Sequence, residues 1–339
     1  MRILVLLFLL FITETTSQAQ VIPYVAIIPS EPSISRLVWS PTSEYLAISS
    51  NNRVSIFSDN LEMITSLPEI HTDLVLGLTW SPDNDFLATS GLDGNIYIWD
   101  VANFPSVSLD QTLSHGKPIW GIQWSKAEDD SRLLSVVSEG FLRTSDSSTS
   151  LSTLNLWDTR ASRLIYTSNV QYHGAEKAEW SYDGRYIAYP NYTFEDDYNI
   201  RVWDTIANTQ TTWDGNGAEI NDVAWDADTY ALSYADDINF VSVVDLIDFE
   251  NPIWITSFES IIDFELYSID WSYNHNFIVT AGTQKLLIVW DVQSSQKTDM
   301  VFEPHQDTVM QVVWSPNNKY IASVDRGGNV RVWDMSLIP

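Results

Sequence analysis

The chain of 339 residues contains no cysteine. Disulfides, zinc–thiolate centres, iron–sulfur clusters and cysteine nucleophiles are therefore excluded, and the fold must be held by its core alone. Basic residues are scarce. Seventeen Lys and Arg face 45 Asp and Glu, giving a net charge of −28. Such a field repels nucleic acid and anionic lipid and favours cationic partners or divalent cations. Solubility of the surface is the plainer reading of the same excess. Long apolar runs are also missing beyond the start of the chain. Ile3 to Ile12 is apolar throughout but too short to anchor stably across a bilayer. With Arg2 before it and Ser17-Gln18-Ala19 after it, this run reads as a signal peptide over residues 1–19, cleaved after Ala19. An uncleaved anchor is the alternative. The expectation is a secreted or extracytoplasmic protein, in a periplasm or outside the cell, with no membrane span after cleavage. Losing Arg2 and Glu14 leaves the net charge unchanged.

Signatures of catalysis are missing too. There is no Gly-x-Ser-x-Gly, His-Glu-x-x-His, phosphate-binding loop or Gly-x-Gly-x-x-Gly. Nothing predicts a cofactor or a metal. The carboxylate runs Asp83-Asn84-Asp85, Glu195-Asp196-Asp197, Asp226-Ala227-Asp228 and Asp236-Asp237 lack the calcium-loop pattern and read as solvated turns. His275 reads as solvated in a turn. Asn191-Tyr192-Thr193 matches an N-glycosylation acceptor.

What is abundant is tryptophan, with 15 residues, and it is periodic. Trp-Ser or Trp-Asp pairs begin at Trp39, Trp80, Trp124, Trp180, Trp225, Trp271 and Trp314. Alternating runs such as Tyr45-Leu46-Ala47-Ile48 and Tyr320-Ile321-Ala322-Ser323 follow them. A second motif follows each: Ile98-Trp99-Asp100, Leu156-Trp157-Asp158, Val202-Trp203-Asp204, Val289-Trp290-Asp291 and Val332-Trp333-Asp334. Degenerate forms stand at Ile56-Phe57-Ser58 and Val243-Val244-Asp245. Period-two alternation broken by turn signals gives about four short strands per unit. One such unit cannot bury both its faces, whereas units stacked radially can. Repeats of about 40–45 residues with four strands each predict a propeller, here all-β with seven blades over residues 20–339.

The Trp-Asp pairs, and His71, His115 and His305 nine residues before a Trp, make the sequence resemble the WD40 repeat family. The resemblance implies a structural tetrad of His, Ser or Thr, Asp and Trp. Blade two matches in full with His71, Thr89, Asp93 and Trp99. Blade seven has His305, Ser323 and Trp333, with Gly327 where the Asp belongs. Blade four keeps Asp197 and Trp203, with His173 displaced. The last Trp-Asp leaves no chain for the outer strand of blade seven, so Val21 to Ile28 is expected to supply it and close the ring.

The resemblance also implies a partner-binding top face at the residues four and six before each first Trp. Those positions hold Leu76, Trp120, Glu176, Tyr267 and Met310, and Glu219 and Glu265. Large apolar side chains beside carboxylates suit a protein or peptide partner of cationic character. The insertions Arg143–Thr153 of blade three and Asn191–Tyr198 of blade four are expected to open on the same face. Trp213 and Trp254 fall on outer strands, as edge cover. The reading is a monomeric protein-interaction scaffold, without enzymatic activity. A small-ligand or glycan-binding propeller, and a hydrolase with a central-channel site, are the alternatives.

Overall fold

The computed structural model describes residues 21, 22, 24, 26–28, 34–127, 130–143, 148–168, 177–192, 198–214, 217–238, 240–249, 251–259 and 265–337. Among them stand seven antiparallel sheets of four strands. The innermost strands end on the seven repeat tryptophans, as in Ile34–Trp39, Val75–Trp80 and Ile119–Trp124. Blades one to six then run outward in sequence order, and blade seven does so for its first three strands. Among the described residues no helix is long and apolar enough to cross a membrane.

The Trp-Ser motif has a local cause. Ser40, Ser81, Ser181, Ser272 and Ser315 are all buried. Each Oγ accepts the backbone N–H five residues on, from Tyr45, Phe86, Tyr186, Phe277 and Tyr320, at 2.8–3.1 Å. In four of the turns the hydroxyl donates two residues ahead, to Asp83, Asp183, Asn274 or Asn317. The chain then reverses through a left-handed residue: Ser43, Asn84, Gly184, His275 or Asn318, with φ of 60–67°. The serine thus satisfies a turn that would otherwise bury unpaired polar groups.

The core lies between blades, not within them. One cluster joins Ile56 and Leu67 of blade one to Leu78, Trp80 and Trp99 of blade two. Hydrogen bonds from inner strand to inner strand reinforce this. The residue just before the Trp sends a side-chain oxygen to the next blade's Trp N–H: Thr79 to Trp124 at 3.0 Å, Gln123 to Trp180 at 2.6 Å, Glu179 to Trp225 at 2.8 Å and Asp270 to Trp314 at 2.6 Å. The residue three before the Trp also accepts a backbone N–H from the next blade. Asp222 accepts from Ile269, Ser268 from Val312 and Gln311 from Leu37. At the joint of blades one and two, Trp80 Nε1 donates to the Val38 carbonyl at 3.4 Å. Where blades two and three approach, a Cβ on Gly77 would collide with Ser90 and Ile122, so no larger residue fits.

The N-terminal segment closes the ring as expected. Ala26–Ile28 pairs antiparallel with Val330–Val332 as the fourth strand of blade seven. The structure adds a second tie: Val21–Ile22 pairs parallel with Val301–Phe302. Ile22 is buried among Phe302, Val309 and Trp333, and the Arg331 guanidinium lies 4.8 Å from the centre of the Tyr24 ring.

Candidate functional site

The interior tetrads come first, because they show which histidines are structural. In blade two, His71 Nδ1 lies 2.9 Å from Asp93 Oδ2 and Nε2 lies 2.8 Å from Thr89 Oγ1. Trp99 Nε1 donates to the same Thr89 oxygen at 3.1 Å. The proton order follows: Trp99 N–H to Thr89, Thr89 O–H to His71 Nε2, His71 Nδ1–H to Asp93. In blade three, His115 and Trp157 meet on Ser135, with no Asp among the contacts. Blade six keeps Trp290 Nε1 to Thr280 at 2.9 Å.

Blade seven departs from expectation. Asp325, two residues before Gly327, faces His305 Nδ1 at 3.2 Å, while Ser323 lies 2.7 Å from Nε2. The short Arg326-Gly327-Gly328 turn offers no carboxylate, so the strand-end aspartate reaches the ring instead. Asn329, with its backbone and side-chain N–H groups, holds Asp325 in place. Burial works against the Asp325 charge, yet these donors and His305 keep its carboxyl below the usual range. Trp333 Nε1 has no partner. Asp197 and His173 lie outside the described residues; Trp203 Nε1 donates to Asn208 Oδ1 at 3.3 Å.

Burial pushes His115 and His305 down to about 4, and lowers His71 as well. The sign is that of a base whose folded value is depressed. The unfolded chain takes up protons below about pH 6.5, whereas the folded chain does not until about pH 4. Stability from these rings is therefore present above pH 6.5 and lost as pH falls towards 4. Imidazole resonances followed by NMR should stay neutral for both residues well below pH 6; titration near 6.5 would contradict their burial.

Two acidic turns and one histidine are not solvated as expected. Asp226 and Asp236 are buried. Asp226 Oδ1 accepts the N–H groups of Asp228 and Thr229, and Asp236 Oδ1 those of Ile238 and Phe240. His275 is half-buried, with Nδ1 2.9 Å from Asp226 Oδ2 and Nε2 3.3 Å from Asp228 Oδ2. The three groups lie close enough to hold a cation. Yet each carboxylate faces a different ring nitrogen, which is the geometry of a bridge between blades five and six. Asn191 is buried and donates to Asn199 Oδ1 at 3.1 Å, so its amide is not presented for glycosylation. Glu195, Asp196 and Asp197 lie outside the described residues.

The central channel, about 450 Å³, is lined by the inner strands. Lys126 Nζ lies 2.6 Å from Glu179, and Lys177 Nζ lies 3.7 Å from Asp222. Burial, with Glu179 nearby, pushes Asp270 up to about 7 against the pull of the Trp314 N–H and Lys126. The carboxylates facing the channel thus have basic neighbours.

The rim is where the structure adds most. Among the described residues, the inner strands of blades one, two, three, five, six and seven carry a register shift near their start. The extra residues are Ser35, Leu76, Trp120, Asn221, Tyr267 and Met310. These are the positions four before each Trp. A bulge leaves one residue unpaired and turns its side chain away from the ladder. The rim residues are therefore aimed by a repeated backbone device. Leu76, Trp120 and Tyr267 are half-buried and Met310 is 38% exposed. Glu265 is exposed and accepts the Tyr267 hydroxyl proton, which raises the phenol above its ordinary range, with burial adding and Arg326 opposing. Lys177 Nζ donates to the Tyr267 carbonyl at 3.3 Å. Glu219 is half-buried, and its N–H is held by Asp237. Glu176 lies outside the described residues, as does the side chain of Ser35.

The long hairpin of blade three opens at the same end. Arg132–Arg143 and Ser148–Asp158 stay paired to Arg143–Ser148, beyond the Val137 that faces the start of the inner strand. In blade four the pairing runs to Tyr192 and Tyr198; residues 193–197 lie outside the described set.

Seven four-stranded blades, buried His-Ser/Thr-Trp contacts and repeated bulges at the start of the inner strands define the class as a seven-bladed β-propeller. The WD domain, G-beta repeat family matches residues 63–100, 259–291 and 296–334. Among similar proteins, the WD repeat-containing protein 26 homolog of Arabidopsis thaliana is 24% identical over 80% of this chain and 50% of its own length. Histone acetyltransferase type B subunit 2 of Candida glabrata is 22% identical over 91% of this chain and 65% of its own. COMPASS component SWD1 of Saccharomyces cerevisiae is 33% identical over 27% of this chain and 22% of its own. The chain thus spans between half and two thirds of the first two relatives. The chain carries WD repeats and folds as a seven-bladed β-propeller.

Proposed function

We propose that the protein is an exported protein-interaction scaffold that binds its partner on the top face. The observation that carries this reading is the ring of bulges, which turns Leu76, Trp120, Tyr267 and Met310 towards one rim beside Glu219 and Glu265. Bulges of this kind commonly re-aim side chains at functional sites. Aromatic and Met anchors are enriched at interface centres. Several similar proteins are named as subunits or components of larger assemblies, which favours association over catalysis. The net charge of −28 selects a cationic partner.

Export rests on residues 1–19. Cleavage after Ala19 leaves the described ring intact, because the first paired residue among those described is Val21. The test is affinity capture from the external medium with the mature chain, whose N-terminus should be Gln20. A variant carrying Trp120→Ala, Tyr267→Ala and Met310→Ala is run beside it. A protein partner retained by the parent and lost by the variant is the expected result. Equal capture by both would exclude the top face. A cytoplasmic chain that still begins at Met1 would exclude export.

A further inference from the structure

Residues 202–284 contain fifteen Asp and Glu and no Lys or Arg. They form the outer strand of blade four, Thr209–Asp214, the whole of blade five and the inner half of blade six. Within this stretch, which contributes no Lys or Arg of its own, lies an uncovered apolar edge. The outermost strand of blade five is Ile253–Glu259, paired on one side with Phe240–Asp245. Ile253 is 60% exposed, Trp254 49% and Ile255 47%, and Ile247 in the preceding turn is 70% exposed. Trp254 is fixed: its ring lies 5.2 Å from Trp213 of blade four and 6.3 Å from Tyr234. Trp254 stands on the outer strand, as expected, and its half-exposed ring forms an open platform there. Ile255 is the extra residue of a bulge, since Thr256 faces Val243 and Trp254 faces Val244. That bulge interrupts the edge as a long hydrogen-bonding template, so recognition here falls to side chains.

We propose that this edge of blade five, away from the top face, docks a lysine- or arginine-rich polypeptide segment with a large apolar side chain for the Trp213–Trp254 platform. The apolar patch supplies the site and the charge of the sector chooses the occupant. Asp245 pairs with Ile253, and Asp214 and Asp248 follow Trp213 and Ile247 in the chain. Nucleic acid and anionic lipid would meet repulsion there. A wholly apolar partner would desolvate carboxylates without compensation. Blade three shows the contrast: its outer strand also exposes Leu164 and Ile165, but beside Arg160 and Arg163.

The test uses the full mature chain and three labelled peptides, alternating Lys-Leu, Lys-Ser and Glu-Leu, followed by fluorescence anisotropy. The Lys-Leu peptide should bind best. Trp254→Ala and Ile255→Lys, made separately, should each weaken it by about tenfold or more, with the melting temperature of at least Trp254→Ala unchanged. Tyr267→Ala/Met310→Ala should leave this affinity as it is, which separates the result from the top-face reading. Equal binding of Lys-Ser or Glu-Leu, no binding of any peptide, or parental affinity in the Trp254→Ala variant would each overturn the proposal.

Discussion

A chain beginning at Ser33 should melt at least about 5 °C below the chain beginning at Gln20, over a broader transition. The shortened chain lacks both strands that close the ring. Blade seven loses the pairing of Ala26–Ile28 with Val330–Val332, which uncovers an edge, and Val301–Phe302 loses its parallel partner. Ile22, 6% exposed, leaves a core made with Phe302 and Trp333. Burying one such side chain is worth about 1.5–3 kcal/mol, and a few kcal/mol move the melting temperature of a chain this size by several degrees. Scanning calorimetry is the check. Superimposable transitions would show that the segment decorates the ring without closing it.

The second large effect concerns two tryptophans of the same motif and equal burial. Trp99 and Trp333 are 1% and 0% exposed. Truncating either to Ala should cost about 3–5 kcal/mol through lost burial and an unfilled cavity. Phe at the two sites should separate them. Trp99→Phe removes the N–H bonded to Thr89 and breaks the chain of donors that runs on to His71 and Asp93. Trp333→Phe removes a donor that has no partner. The Phe substitution at Trp99 should therefore be the more destabilising, by about 1–3 kcal/mol in denaturant unfolding. Equal losses would mean that ring volume alone matters and that the tetrad adds nothing measurable.

Much of this was legible in the sequence because a repeat multiplies weak signals. One Trp-Ser pair means little, whereas seven Trp-Ser or Trp-Asp pairs in phase give the blades, the strand order and the missing outer strand. The blade-two tetrad is legible because His71, Thr89, Asp93 and Trp99 sit at the expected spacing. Blade seven is not, because Asp325 belongs to the strand end and its neighbourhood to His305 appears only once the turn is folded. His275 reads as a loop residue because nothing local reveals Asp226, which approaches from the next blade. The inter-blade acceptors Thr79, Gln123, Glu179 and Asp270 share a repeat position but no residue type, so only their common phase could have exposed them. The rim bulges are subtler still. Ser35, Leu76, Trp120, Asn221, Tyr267 and Met310 share no chemistry, and what unites them is backbone register.

That register makes the central claim testable position by position. With the captured partner in hand, calorimetric titration would compare alanine variants of Leu76, Trp120, Tyr267 and Met310 with variants of Lys126, Tyr182 and Tyr273, which lie two residues past the repeat Trp at the channel's other mouth. Affinity should fall at the bulge positions and stay unchanged at the others. Losses confined to the opposite mouth, or spread evenly over both, would contradict binding on the top face.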